Sequence, residues 1–225
     1  MNLSPHPLCL QDKLNDREQQ MLLARCVEQR VAAGDHVFRQ ATRHAETFIV
    51  KQGLVRTYHL SPSGKEITVG YWAAGDMVGG PDFFEEHKHI WSCEAAEDSV
   101  LWMIKGQDLY DLTLKIPALS KCVVIALSFK LRWVSLLLQN MGTECARHRL
   151  AHLLASLCEM YGDEYEDGMR IRYAFTQEEF ANMICTTRQW VNSILGEFQQ
   201  EGILRIEKRR LIICDLIALQ KIVNE

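Results

Sequence analysis

The sequence predicts an α+β chain in three parts: an all-β sandwich or barrel, one long apolar-striped helix, and a small helical domain ending in a two-stranded wing. Three observations carry that reading. From Arg30 to about Trp102, short β-type runs alternate with turn residues and show no helical period. After Pro117 the apolar residues recur at steps of three and four. Between Phe175 and Leu195, two short apolar-faced helices flank a tight turn, and a basic hairpin comes directly after them.

Within the β part, Gly34-Asp35-His36-Val37-Phe38 and Gly75-Asp76-Met77-Val78-Gly79 repeat one device, a Gly-Asp turn feeding a strand. Leu54 to Leu60 and Lys65 to Trp72 flank Ser61-Pro62-Ser63-Gly64 and read as a hairpin, with Ile67, Val69 and Tyr71 on one face. In the long helix, Val124, Leu127, Leu131, Val134, Leu138, Met141 and Cys145 form a heptad seam, while Phe129, Trp133 and Leu137 lie on the other side. One apolar face can cover the chain's own β domain; the other needs a partner helix, so a homodimer is expected. Gly142-Thr143 reads as a break in the helix and a hinge, with Thr143 capping the next helix.

Composition narrows the function classes. The chain has 225 residues, 48% apolar and 24% charged, with net charge −4. That balance gives no global pull toward nucleic acid or anionic membranes, so any such binding is local. Strictly apolar runs reach only about five residues, against the ~20 of a bilayer span. The start lacks the basic-then-apolar pattern of a secretory leader, so a cytoplasmic location and no membrane partner are expected. The eight cysteines show no zinc-knuckle or CxxC spacing and read as small buried hydrophobes or free thiols.

The stretch from Phe175 to Leu195 carries the functional signal. Phe180, Ala181 and Ile184 form the inward face of a first helix, and Val191, Ile194 and Leu195 that of a second, with Thr186 or Thr187 as its cap. Thr187, Arg188, Gln189, Asn192 and Ser193 are left outward. Arg suits guanine, Gln and Asn suit adenine, and hydroxyls suit phosphate oxygens. Arg205 to Ile213 makes two short strands around Lys208-Arg209-Arg210, a tip able to lie on the sugar-phosphate backbone. Residues 147 to 225 hold ten Lys/Arg against twelve Asp/Glu. Binding is therefore expected to be salt-dependent and modest, and sustained by two half-sites about one DNA turn apart, with Arg188 and the 205-to-210 cations sharing a surface.

These motifs, in this order and nearly end to end, resemble the cyclic-AMP receptor protein (CRP/FNR) superfamily of bacterial transcription regulators. The resemblance rests on Gly34 to Gln40, Phe48 to Arg56, Ser61 to Glu66, Gly75 to Gly79, the long helix and the helix-turn-helix. It implies an N-terminal double-stranded β-helix, or jelly roll, of eight strands that senses an effector (1–117), a dimerisation helix (118–142) and a winged helix-turn-helix (143–225). It further implies double-stranded DNA and RNA polymerase as partners, an activator role, and no catalysis. Several departures matter. Gly80 and Ile90 stand where cyclic-nucleotide sensors carry a ribose-binding glutamate and a phosphate-binding arginine, so cyclic AMP is not the expected effector. The clustered N-terminal cysteines of iron-sulfur sensors and the Cys and His of the haem sensor are absent too. Cys185 replaces the usual turn glycine, and Gln189 and Ser193 replace two charged recognition residues, so the operator should differ.

An unknown small-molecule effector is expected near Arg56, Trp72, Gly79, Gly80, Ser92, Arg132, Trp133 and Ser135, with Gly142 as the two-state hinge. The sequence names no cofactor. A competing reading comes from His87, His89 and Glu94, which match the first metal-binding motif of cupins on what should be an exposed loop, and would make a metal sensor or metalloenzyme.

Overall fold

A computed structural model of the chain describes residues 13–43, 45–80 and 88–224. They fall into two compact units, the first ending at Arg132 and the second beginning at Trp133.

The first unit is built on β1 (Val27–Val31), β2 (His36–Phe38), β3 (Glu46–Gln52), β4 (Leu54–Leu60), β5 (Glu66–Ala73), β6 (Met77–Val78), β7 (Ser92–Ala95) and β8 (Ser99–Lys105). They form two antiparallel four-stranded sheets, in the orders β1-β8-β3-β6 and β2-β7-β4-β5. This is the eight-stranded roll expected. Gly53 turns β3 into β4 at φ +93°, and a Cβ there would sit 2.8 Å from the Asp98 carbonyl, so only glycine fits. Helices α1 (Asp16–Leu23), α2 (Gly106–Lys115) and the first half of α3 (Pro117–Thr143) close the first sheet. Leu22, Ile49, Ile104, Leu109 and Leu119 share that core.

The hairpin departs from the simple alternation. Thr57 pairs with Gly70 but Tyr58 pairs with Thr68, so Val69 is a bulge residue. Ile67 therefore faces His59 and Tyr71 faces Arg56, and the two project from opposite sides of the sheet rather than one.

Helix α3 divides its apolar surface as the heptad reading expects. Cys122, Ala126, Phe129 and Trp133 are buried. Val124, Leu127, Leu131, Val134, Leu138 and Met141 are exposed, Leu131 and Leu138 to 70% and 71%. Cys145, next in the repeat, is exposed too. By length and composition α3 is long and apolar enough to cross a bilayer, with a mean hydropathy of 1.6 in its most apolar window. Counting strictly apolar runs understates this, because single polar residues interrupt each run. The break expected at Gly142-Thr143 falls just after it: α3 ends at Thr143, and residues 144 and 145 are non-helical. Thr143 does not cap the next helix: its hydroxyl donates back to the Gln139 carbonyl at 2.9 Å. Cys145 takes the N-cap position of α4 (Ala146–Tyr161) without a side-chain hydrogen bond.

Lys130 points from α3 into the roll, donating to the Met77 carbonyl and lying 4.3 Å from the centre of the Trp72 ring. Burial pushes its ammonium down to about 8, against the pull of Asp76 and Cys93. A folded-state pKa below the unfolded one stabilises the fold fully only above the unfolded value, and that contribution is lost as pH falls through the folded value. Stability is therefore expected to rise between about pH 8 and roughly 10.4, the ordinary lysine value. Lys130→Met should flatten that rise when urea midpoints of variant and parent are compared at pH 7.5 and 10.

Candidate nucleic-acid interface and sensor interior

The second unit packs α4 against α6 (Arg188–Gln200) and α7 (Leu216–Asn224), and α5 (Gln177–Met183) against α6, with a sheet ordered β11-β12-β10-β9. Its strands are β9 (Gly162–Tyr165), β10 (Gly168–Ile171), β11 (Leu204–Glu207) and β12 (Arg210–Ile213). Acidic Asp163 and Glu164 lie within β9. Leu150, Leu154, Phe180, Val191 and Phe198 are almost completely buried at its centre.

Each helix of the turn motif starts on a cap. Thr176 and Glu179 form a reciprocal capping box on α5, with Thr176 N donating to Glu179 Oε2 at 2.6 Å. Thr187, not Thr186, caps α6, accepting from Trp190 N at 3.3 Å. Ala181 is 1% exposed between the helices, as close axial approach requires. Cys185 holds the turn at φ +52°, the left-handed region that glycine occupies more easily.

Helix α6 buries Val191, Ile194, Leu195 and Phe198 and leaves Arg188, Gln189, Asn192 and Ser193 exposed, together with its cap Thr187. Asn192 Oδ1 accepts from Gln177 Nε2 at 2.8 Å, which orients its amide. The wing tip is a two-residue hairpin in which Lys208 and Arg209 both have positive φ, at 47° and 68°. Lys208, Arg209 and Arg210 are exposed, and Arg188 and Arg209 line one open groove between the helices and the wing.

Arg205 does not join that surface. Its guanidinium is taken up by Glu166 at 2.7 Å, Asp167 at 2.6 Å and Glu207 at 2.7 Å. Its hydrogen bond holds the Asp167 carboxyl below the usual range. Arg147 is likewise spent, on Glu197 at 2.8 Å and Glu201 at 2.7 Å, with its plane 4.6 Å from the Phe198 ring centre. That clamp, joining α4 to α6, was not read from the sequence, nor was Trp190, which is 60% exposed on α6.

The expected effector residues do not converge. Arg56 and Trp72 lie on opposite faces of one sheet, because Arg56 pairs with Tyr71 while Trp72 pairs with Val55. Arg56 is buried between Glu66 at 2.7 Å and Glu94 at 3.0 Å and lies 4.3 Å from the Tyr58 ring centre. Ser92 shares that face, opposite Tyr58. On the other face, Trp72 Nε1 donates to Thr57 Oγ1 at 2.8 Å and its ring carries Lys130. Gly79 and Gly80 have positive φ, and the Gly80 carbonyl accepts from Thr47 at 2.8 Å. Arg132 is exposed; Ser135, also exposed, and the buried Trp133 belong to the second unit.

Among the described residues, no cupin-type metal site is assembled. His87 lies outside the described residues. His89 is 6% exposed, not on an open loop, and stacks on Phe38 at 4.0 Å. Glu94 pairs with Arg56 instead. Among the described residues no three His, Cys, Asp or Glu are placed to hold a metal. Burial pushes the Cys26 thiol up to about 11 and that of Cys158 up to about 12, which keeps both protonated at neutral pH.

Comparison with known proteins agrees with this architecture. Residues 28–115 match the cyclic nucleotide-binding domain, and residues 148–222 match the Crp-like helix-turn-helix domain. Those two domains in succession on one chain decide the assignment. The chain belongs to the CRP/FNR superfamily. It is 23% identical over 210 residues to electron transport regulator A of Shewanella oneidensis, covering 92% of this chain and 83% of that one. It is also 25% identical over 217 residues to the anaerobic regulatory protein of Pasteurella multocida, covering 94% and 78%. Among solved structures, a CooA mutant from Carboxydothermus hydrogenoformans superposes with a TM-score of 0.78 at 27% identity, over 90% of this chain and 89% of that one. The c-di-GMP responsive regulator CLP of Xanthomonas campestris reaches 0.78 at 17% identity, over 89% and 100%, a likeness of fold. This CRP/FNR-type transcription regulator thus pairs a roll of the cyclic nucleotide-binding type with a DNA-binding helix-turn-helix. Replacing the strained turn residue, Cys185→Gly, is expected to raise stability by about 1 kcal/mol, read as a higher urea midpoint at unchanged slope.

Proposed function

We propose that this regulator works as a cytoplasmic homodimer that reads a two-half-site operator, with Arg188, Gln189 and Asn192 on base edges. Thr187, Ser193 and Lys208 to Arg210 hold the backbone. The observation that carries this reading is the polar stripe of α6: Arg188, Gln189, Asn192 and Ser193 are all exposed opposite a fully buried apolar face. Arginine and amide side chains at a helix start suit the donor and acceptor pattern of the major groove. The exposed α3 seam supports pairing through a second copy, because six large apolar side chains in heptad register otherwise stand in water. RNA polymerase is the partner through which such a dimer would act on transcription.

Cyclic AMP is not the effector in this reading. Ile90 supplies no charge for a cyclic phosphate, and the interior beneath α3 already holds the ammonium of Lys130 against Trp72. Adding cyclic AMP is expected to leave both the melting temperature and duplex affinity unchanged.

Selection of duplexes from a random pool with the wild-type protein tests the reading. Arg188→Ala should then weaken the selected site at least tenfold, the ~1–3 kcal/mol of a bidentate base contact, and an unrelated duplex far less. Leu131→Glu with Leu138→Glu should give a folded monomer by light scattering that no longer retards the site. A wild-type protein that enriches no sequence overturns the proposal.

A further inference from the structure

We propose that Trp190 is a DNA contact, its indole lying against the sugar-phosphate wall of the major groove opposite the wall held by Arg188 and the wing; this rests on the DNA-binding reading above. An α-helix with its side chains is about 10–12 Å across, and the major groove is about 12 Å wide. A helix seated there brings both flanks close to a backbone. On α6, successive residues turn by about 100°, so Arg188 and Trp190 lie on either side of Gln189.

The two flanks differ in chemistry. On the Arg188 side, Arg209 of the wing lines the same groove, so that flank is cationic. On the other side, Trp190 adjoins Ser193, one turn on, and then Glu197. Glu197 is paired with Arg147, which also holds Glu201, so among the described residues this flank of α6 carries no cation free for phosphate. What it offers is an indole that is 60% exposed and continuous with the base-reading stripe. The ring face can cover a deoxyribose, removing apolar area from water. Its N–H can donate to a phosphate oxygen, and hydrogen bonds to charged groups contribute the most. Such a contact is indifferent to sequence and releases no counterion.

Titration of wild type, Trp190→Ala and Trp190→Phe with the selected duplex and an unrelated one, at several salt concentrations, tests this. Trp190→Ala should bind both duplexes about tenfold more weakly with an unchanged salt slope. Trp190→Phe, which keeps a ring but loses the donor, should fall between it and the wild type. Duplex should quench indole fluorescence in the wild type and not in Trp190→Phe. A Trp190→Ala protein with parental melting temperature and undiminished affinity overturns the proposal. So does a reduced salt slope, which would show that the ring only sets the docking of the cations. If the wild type binds neither duplex, the DNA-binding reading itself fails, a result distinct from both.

Discussion

Helix α3 carries more apolar surface than its own chain covers. One stripe, with Cys122, Ala126 and Phe129, disappears beneath the roll, where desolvating aliphatic and aromatic groups is worth about 25 cal/mol per Å². The opposite stripe stays bare over six heptad positions. A 3.5-residue repeat keeps a straight seam only if two helices wind together, so the bare stripe of α3 has the form of a surface that a second copy would cover in the proposed dimer. Lys130 sits at the margin of the buried stripe and fastens α3 to the sheet edge through Trp72 and Met77.

Electrostatics in the C-terminal unit show a similar division between groups used up and groups left over. The domain has more acids than bases, yet its arginines are not equivalent. Arg147 and Arg205 are enclosed by two and three carboxylates respectively and serve the fold. Arg188 and Lys208 to Arg210 are exposed and remain the source of local positive potential. Net charge therefore describes the domain's solubility, while the distribution of partners describes its face toward DNA.

Much of this was legible in the sequence because it depends on period. The heptad of α3, the inward residues of the helix-turn-helix and the strand boundaries each derive from spacing alone. What was not legible depends on distant partners. Arg205 reads as part of a basic run until Glu166 and Asp167 close on it from another hairpin. Gly142-Thr143 marks the end of α3 correctly, but does not show that the Thr143 hydroxyl turns back to the Gln139 carbonyl and leaves the next N-cap to Cys145. The effector residues were grouped along the chain, but a pleated sheet sends neighbours to opposite sides, and the bulge at Val69 reverses the alternation once more. Lys130 gave no sequence signal, since a lysine between two apolar stripes ordinarily reaches water.

Lys208 and Arg209 keep a bend that Asn-Gly would form with less effort, because both backbones sit in a region hostile to side chains with a Cβ. Selection for heat resistance alone would erode that bend. Lineages evolved in that way would gain a sturdier wing and lose two of its positive charges, and the local positive potential of that face would fall with them.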